Sequence, residues 1–190
     1  MTKKVLIAYE SRYGYVTQVA NFVKDILIEK GLETINLDVE RMSTVAVYPL
    51  EQYQGIIIGI CENISAFKKL KKTFIKKDLG QYKEDSHPVA VFTNSPLNIP
   101  VLFKPESEHE RYQLHITKKF RFRPDICEIF KPVLDFTAFS PLESYIKSFR
   151  KSISRKAKGV GIELDYKGVN DLRDWPNIKK FTERFIMLLN

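Results

Sequence analysis

Cysteine is scarce: Cys61 and Cys127 are the only two in 190 residues. They show no CxxC spacing, and each sits in a run that reads as a buried strand. A pair of reduced core thiols in a cytosolic protein is the plain expectation. Long apolar runs are missing too. Val5–Tyr9 and Ile56–Ile58 reach only a few residues, whereas a membrane span needs ~20. The first ten residues meet an acid, Glu10, too early to form the core of a signal peptide. With 8 glycines and 9 prolines the chain is no collagen, and 44% apolar residues is not the composition of a disordered segment. No GxGxxG, GxxxxGK(S/T) or GxSxG motif occurs, which removes the usual signatures of dinucleotide, nucleoside triphosphate and serine-hydrolase sites. His87, His109 and His115 are scattered, without the clustering a zinc site needs.

Charge is present but uneven. Residues 1–63 carry 6 basic and 8 acidic groups, and residues 64–190 carry 25 and 15, within a net charge of +8. A basic half suits nucleic acid, an anionic membrane surface or an acidic small molecule, and charge alone does not choose among them. The lysine run Lys68–Lys77 lacks interleaved aromatics and any nucleic-acid motif, so a solvated helix face is expected and no nucleic-acid partner.

Val5–Tyr9 is apolar throughout, the pattern of a strand buried on both faces. A polar turn containing Gly14 follows. Val16, Val19, Ala20, Val23, Ile26 and Leu27 then form a helical stripe, which Gly31 ends. Further strands are expected at Thr34–Val39, Gln54–Cys61, His87–Asn94 and Ile126–Leu134, with Pro132 confining the last to a bulge or an end. Ser65 is placed to cap a helix with the stripe Phe67, Leu70, Phe74 and Ile75, and Glu106–Lys119 is a second helix. Beyond residue 135 the alternation breaks. Leu142, Tyr145, Ile146, Phe149, Ile153 and Ala157 line one face of a basic amphipathic helix, Val160–Tyr166 resembles a short strand, and Asp174-Trp175-Pro176 opens the last helix.

Apolar strands alternating with helices mean a parallel sheet covered on both sides. Five strands favour the order 2-1-3-4-5, in a single α/β domain of three layers. About 150 residues complete a bare fold of this kind. The surplus is a segment at about 135–173, before the last helix.

Ligands of such sheets bind beyond the carboxyl ends of the strands, where strands 1 and 3 part. The loops after Tyr9, Ile60 and Asn94 meet there. Ser11-Arg12-Tyr13-Gly14-Tyr15-Val16-Thr17 leads straight into a helix, whose backbone N–H groups and positive end attract phosphate. Ser11 and Thr17 add hydroxyls, and Arg12 adds a charge. Any strand-to-helix turn also needs a polar, glycine-containing loop, so an anion site and a plain turn both stand at this point.

Lys4–Tyr9 followed by Ser11-Arg12-Tyr13-Gly14 resembles the start of a flavodoxin. Ile56-Ile57-Ile58-Gly59, Arg123–Cys127, Leu134-Asp135-Phe136 and Asp174-Trp175 are similar to one branch, the menaquinone-dependent protoporphyrinogen dehydrogenases and related flavodoxin-domain proteins. The resemblance spans nearly the whole chain. It implies a flavodoxin-like fold that binds FMN through Ser11, Arg12, Tyr13, Gly14, Tyr15, Val16 and Thr17 in the first loop. Asn63, Ile64 and Ser65 of the second loop, and Asn94, Ser95, Pro96 and Leu97 of the third, would flank the ring. It implies redox chemistry, with a quinone or a redox protein as partner.

Three features depart from that pattern. Val16 stands where relatives carry a hydroxyl, and Tyr13 where they often do. The second loop, Glu62-Asn63-Ile64-Ser65, lacks an aromatic to stack on a flavin. These departures leave an alternative, a flavodoxin-like scaffold with weakened or lost FMN binding that acts as a binding or regulatory module. The segment 141–158 also has two readings. Its apolar face packs on its own domain, or it meets an anionic lipid surface and makes a cytoplasmic protein peripheral to the inner face of the membrane.

Overall fold

The computed structural model describes residues 2–11, 14–39, 41, 49–61, 78–94, 105–120, 123–137, 153–155 and 157–189. Five parallel strands form its main sheet: β1 (Lys4–Tyr9), β2 (Glu33–Asp38), β3 (Gly55–Ile60), β4 (Val89–Thr93) and β5 (Ile126–Ile129). Their order is β2-β1-β3-β4-β5, as the sequence pattern predicts. The helices are α1 (Tyr15–Glu29), α2 (Asp78–Glu84), α3 (Pro105–Phe120) and α4 (Trp175–Leu188). No helix among the described residues is long and apolar enough to cross a membrane.

The unbroken apolar runs have a simple cause: period two sends alternate residues to two cores. Val5, Ile7, Tyr9, Ile57, Ala90 and Phe92 meet the buried stripe of α1 and Ile178, Phe181 and Phe185 of α4. Leu6, Ala8, Ile56, Ile58, Val89 and Val91 face the other way, onto Tyr112, Ile116 and Phe120 of α3 and Leu79 and Tyr82 of α2. The exceptions are the edge strands: β2, whose residues are exposed or half-buried, and β5, where Cys127 and Glu128 are half-buried, and their sequences are correspondingly mixed.

Helix ends follow the local chemistry. Gly31 donates to the Ile28 carbonyl and Leu32 to that of Leu27, the paired bonds of a Schellman stop. At the start of α4 the Asp174 carboxylate accepts the Asn177 N–H at 3.1 Å, with Pro176 in the first turn.

Two expectations are corrected. The fifth strand ends at Ile129 rather than Leu134. Proline has no N–H to extend the ladder, and beyond Pro132 the chain leaves the sheet to form β6 (Val133–Asp135). The partner of β6 is β7 (Val169–Asp171), antiparallel, in a separate two-stranded sheet. Val160–Tyr166, expected as a strand, is not one. Its alternation is real, since Ile162 and Leu164 pack with Leu134, Ile153, Phe136 and Leu172, but β7 holds the ladder position beside β6. Asp165 and Asn170 close the intervening turn, with Asn170 Nδ2 donating to the carbonyls of Asp165 (2.8 Å) and Leu134 (3.3 Å).

The expected helix with the stripe Phe67–Ile75 lies outside the described residues, as does most of the amphipathic segment 141–158. Of that segment's apolar face, Ile153 and Ala157 are buried, and Ile153 packs with Leu134. Both cysteines carry free thiols. Burial, followed by the neighbouring Glu128 carboxylate, pushes the Cys127 thiol up to about 12, which leaves it little thiolate character.

Candidate functional site

The carboxyl ends of β1, β3 and β4 are bound to one another where their loops begin. Glu10 N donates to the Gly59 carbonyl (3.1 Å) and Asn94 N to that of Ile60 (3.3 Å), which also accepts the Thr93 hydroxyl (2.8 Å). The three loops therefore open from one place, the point at which strand order reverses.

The first loop is organised by Ser11. Its Oγ accepts the backbone N–H of Thr17 at 3.0 Å, and the hydroxyl retains its hydrogen to donate outward. Gly14 takes φ +80°, a left-handed conformation that side chains rarely adopt, and among the described residues no atom lies within 4 Å of where its Cβ would stand. α1 begins at once, with no acidic residue in its first turn. Backbone donors, a helix positive end and an outward hydroxyl thus converge, as an anion requires.

The other first-loop residues do not behave alike. Val16 is buried in the core below the loop, with its Cγ1 3.0 Å from where a Cβ on Gly59 would stand. The hydroxyl expected at this position from flavodoxin spacing would therefore lie in the sheet–helix interface. Thr17 turns to the side and hydrogen-bonds the Tyr9 phenol, which burial and then Asp38 push above its ordinary range. Tyr15 points away from the loop, its hydroxyl 3.5 Å from Asp135 Oδ2. Arg12, Tyr13, Asn63, Ile64, Ser65, Ser95, Pro96 and Leu97 lie outside the described residues.

Asn94 marks the third loop. It is 1% exposed; its Nδ2 donates to the Lys131 carbonyl at 2.7 Å, which fixes the amide orientation. Its Oδ1 is buried with no hydrogen-bond partner among the described residues. An orphaned acceptor at the mouth of a sheet is costly unless a donor reaches it. A flavin ring N–H is such a donor, and the phosphate end of FMN matches the donors of the first loop. On these observations Ser11, the first turn of α1 and Asn94, among the described residues, fit FMN.

Local spacing gave no sign of a cluster beside this site. Arg173 forks onto Asp171 (Nε–Oδ1 2.8 Å, Nη2–Oδ2 2.6 Å) and donates to Gln18 Oε1 (2.7 Å) and to the Tyr15 carbonyl (3.5 Å). Its guanidinium lies 4.5 Å from the Trp175 ring centroid. Asp135 accepts from the Thr137 N–H and hydroxyl at 2.9 and 2.7 Å. Asp135 and Trp175 belong to the segments that carry the flavodoxin-branch resemblance, so their prominence was visible although their contacts were not.

Arg173 holds the Asp171 carboxyl below the usual carboxylate range. A depressed folded-state pKa gives stability that is present above the unfolded value, ~3.9, and lost as pH falls through the folded one. The stability–pH curve of the wild type is therefore expected to fall more steeply below pH ~4 than that of Asp171→Asn. Urea midpoints from pH 6 down to 3 test this, and superimposed slopes would contradict it.

A five-stranded parallel sheet in the order 2-1-3-4-5, with its loops opening at the β1/β3 reversal, defines a flavodoxin-like α/β fold. No family model matches the chain, and no curated protein matches it. Solved structures with similar folds include the flavodiiron core of Flv1 from Synechocystis sp. PCC6803, at 15% identity and TM-score 0.44. That match covers 84% of this chain and 36% of the other, so the chain spans about a third of its length. A flavodoxin from Streptococcus pneumoniae TIGR4 aligns over 97% of this chain and 98% of its own, at 11% identity and TM-score 0.41. A putative flavoprotein from Bacteroides uniformis ATCC 8492 aligns over 80% and 99%, at 12% identity and TM-score 0.41. The strand order is what carries the fold.

Proposed function

We propose that this chain is an FMN-binding redox protein of flavodoxin-like fold. The observation that carries the reading is the first loop: Ser11 Oγ holds the Thr17 N–H at 3.0 Å, beneath a helix with no acid in its first turn, at the strand-order reversal. Ser11 and the first-turn N–H groups would hold the phosphate, and Asn94 Oδ1 would meet a ring N–H. FMN, when bound, would supply the electron-transfer chemistry. The finer reading, a quinone-linked dehydrogenase of the protoporphyrinogen dehydrogenase type, draws on the sequence resemblance.

A second reading, the scaffold with weakened or lost FMN binding, draws on one structural feature. Glu10 is buried at the same reversal, where a carboxylate disfavours an anionic ligand. A titration of purified protein with FMN, followed by flavin fluorescence quenching, separates the two. We expect saturable binding of one FMN. Ser11→Ala is expected to weaken it about fivefold, the value of one hydrogen bond of ~1 kcal/mol. Colourless protein that takes up no added FMN would leave the scaffold reading.

A further inference from the structure

Two strands of the appended sheet end in acids beside the first turn of α1, and the contacts they make there are polar. Asp135, closing β6, receives the Tyr15 hydroxyl. Asp171, closing β7, holds Arg173, which grips the Tyr15 carbonyl and the Gln18 side chain. The unit has its own small apolar cluster, centred on Leu134 and Ile153 and distinct from the cluster that contains α1. Burial of its apolar face thus accounts for its folding but not for its attachment to residues 15–18.

Arg173 is in an unusual place. Its side chain is only 5% exposed, and its cation lies beside the positive end of a helix, where anions are preferred. The fork onto Asp171 neutralises the charge, while the remaining donors fix a carbonyl and an amide one turn into α1. Trp175 supports the guanidinium from α4 and meets Phe22 of α1 at 4.9 Å. The bonds to Tyr15 and Gln18 restrain the turn that directly follows Gly14, and the Trp175–Phe22 contact anchors α1 further along.

We propose that the β6–β7 unit braces the anion-binding loop, with Arg173 as the positioning residue that holds the first turn of α1 ready for the phosphate of a flavin mononucleotide. The proposal rests on the FMN reading above for its ligand, and on the Arg173 contacts for the brace. It makes the paired strands β6 and β7, with Arg173, a working part of the site.

The test uses the full chain with Arg173→Ala and Arg173→Lys. FMN and riboflavin, which lacks the phosphate, are each titrated by fluorescence quenching. Amide hydrogen exchange is read at Thr17, Gln18 and Val19 without ligand. We expect both variants to weaken FMN about tenfold and riboflavin by less than about twofold, because lysine keeps the charge but cannot reproduce the fork. Exchange at residues 17–19 should quicken about tenfold while that at Asp25–Leu27 is unchanged. Equal losses for both flavins, or wild-type affinity in Arg173→Lys, would overturn the positioning role. If the wild type binds neither flavin, the FMN reading falls and exchange alone decides the brace: quickening confined to 17–19 upholds it, and unchanged exchange removes it. Should Arg173→Ala fail to fold, Asp171→Asn, which loosens the fork from the other side, is read against the same outcomes.

Discussion

Phe92→Ala should lower the unfolding free energy by about 3–5 kcal/mol, the range for deleting a fully buried aromatic ring. Phe92 is completely buried in β4. Its ring meets Phe130 at 5.5 Å and Phe181 at 5.9 Å, and those two meet each other edge-on at 5.5 Å. The three rings tie the sheet centre, the end of β5 and α4 together. Removing one leaves a cavity walled by the other two and forfeits aromatic contacts worth about 0.5–1.5 kcal/mol each beyond their area. For a domain of ordinary stability, about 5–15 kcal/mol, that is a large share. Urea midpoints would show it, with Phe92→Leu retaining most of the stability; a loss below about 2 kcal/mol would mean that the surrounding rings collapse into the gap.

Phe92 also shows why the fold was legible. Strands buried on both faces carry uninterrupted apolar runs, and Val5–Tyr9, Ile56–Ile60 and Val89–Phe92 have no other economical explanation. α1 declares itself by its stripe and α4 by its cap, and the alternation gave the strand order, whereas α2 at Asp78–Glu84 was not among the expected helices. Elements formed by distant pairing left no such trace. β7 is Val169-Asn170-Asp171, three residues without an apolar run, and is a strand only because Val133–Asp135 lies opposite. Val160–Tyr166 has the strand pattern but lacks the partner.

The site divides in the same way. Ser11 and Thr17 were legible in the loop chemistry as hydroxyls for an anion, but the bond from the Thr17 N–H to Ser11 Oγ, six residues apart, was not. Arg173 reaches Tyr15 and Gln18 across 158 and 155 residues, a separation at which no local pattern survives. Val16 is the instructive case. The flavodoxin resemblance placed it among the phosphate contacts, whereas burial against the sheet placed it in the core. Position relative to a glycine does not say which way a side chain turns at the start of a helix; the packing surface beneath it does.

That surface is Gly59, and substituting it should damage both stability and binding. A Cβ there would stand 2.6 Å from Phe92 Cζ, 2.9 Å from Tyr9 Cβ and 3.0 Å from Val16 Cγ1. The phenylalanine tip can yield, but Tyr9 Cβ is fixed to the neighbouring strand and Val16 to the first turn of α1. Valine at this position is expected to cost about 3 kcal/mol through overpacking. The smaller Gly59→Ala should fold yet lift α1 from the sheet, moving the loop that Ser11 organises and weakening FMN about tenfold or more. Gly55→Ala is the matched control, since its Cβ would meet the ends of Leu189 and Phe185 side chains at the opposite end of β3. It should reduce the urea midpoint and leave FMN affinity at the wild-type value. If Gly59→Ala bound FMN as the wild type does, the loop could not depend on α1 resting against β3, and the close approach at Gly59 would serve packing alone.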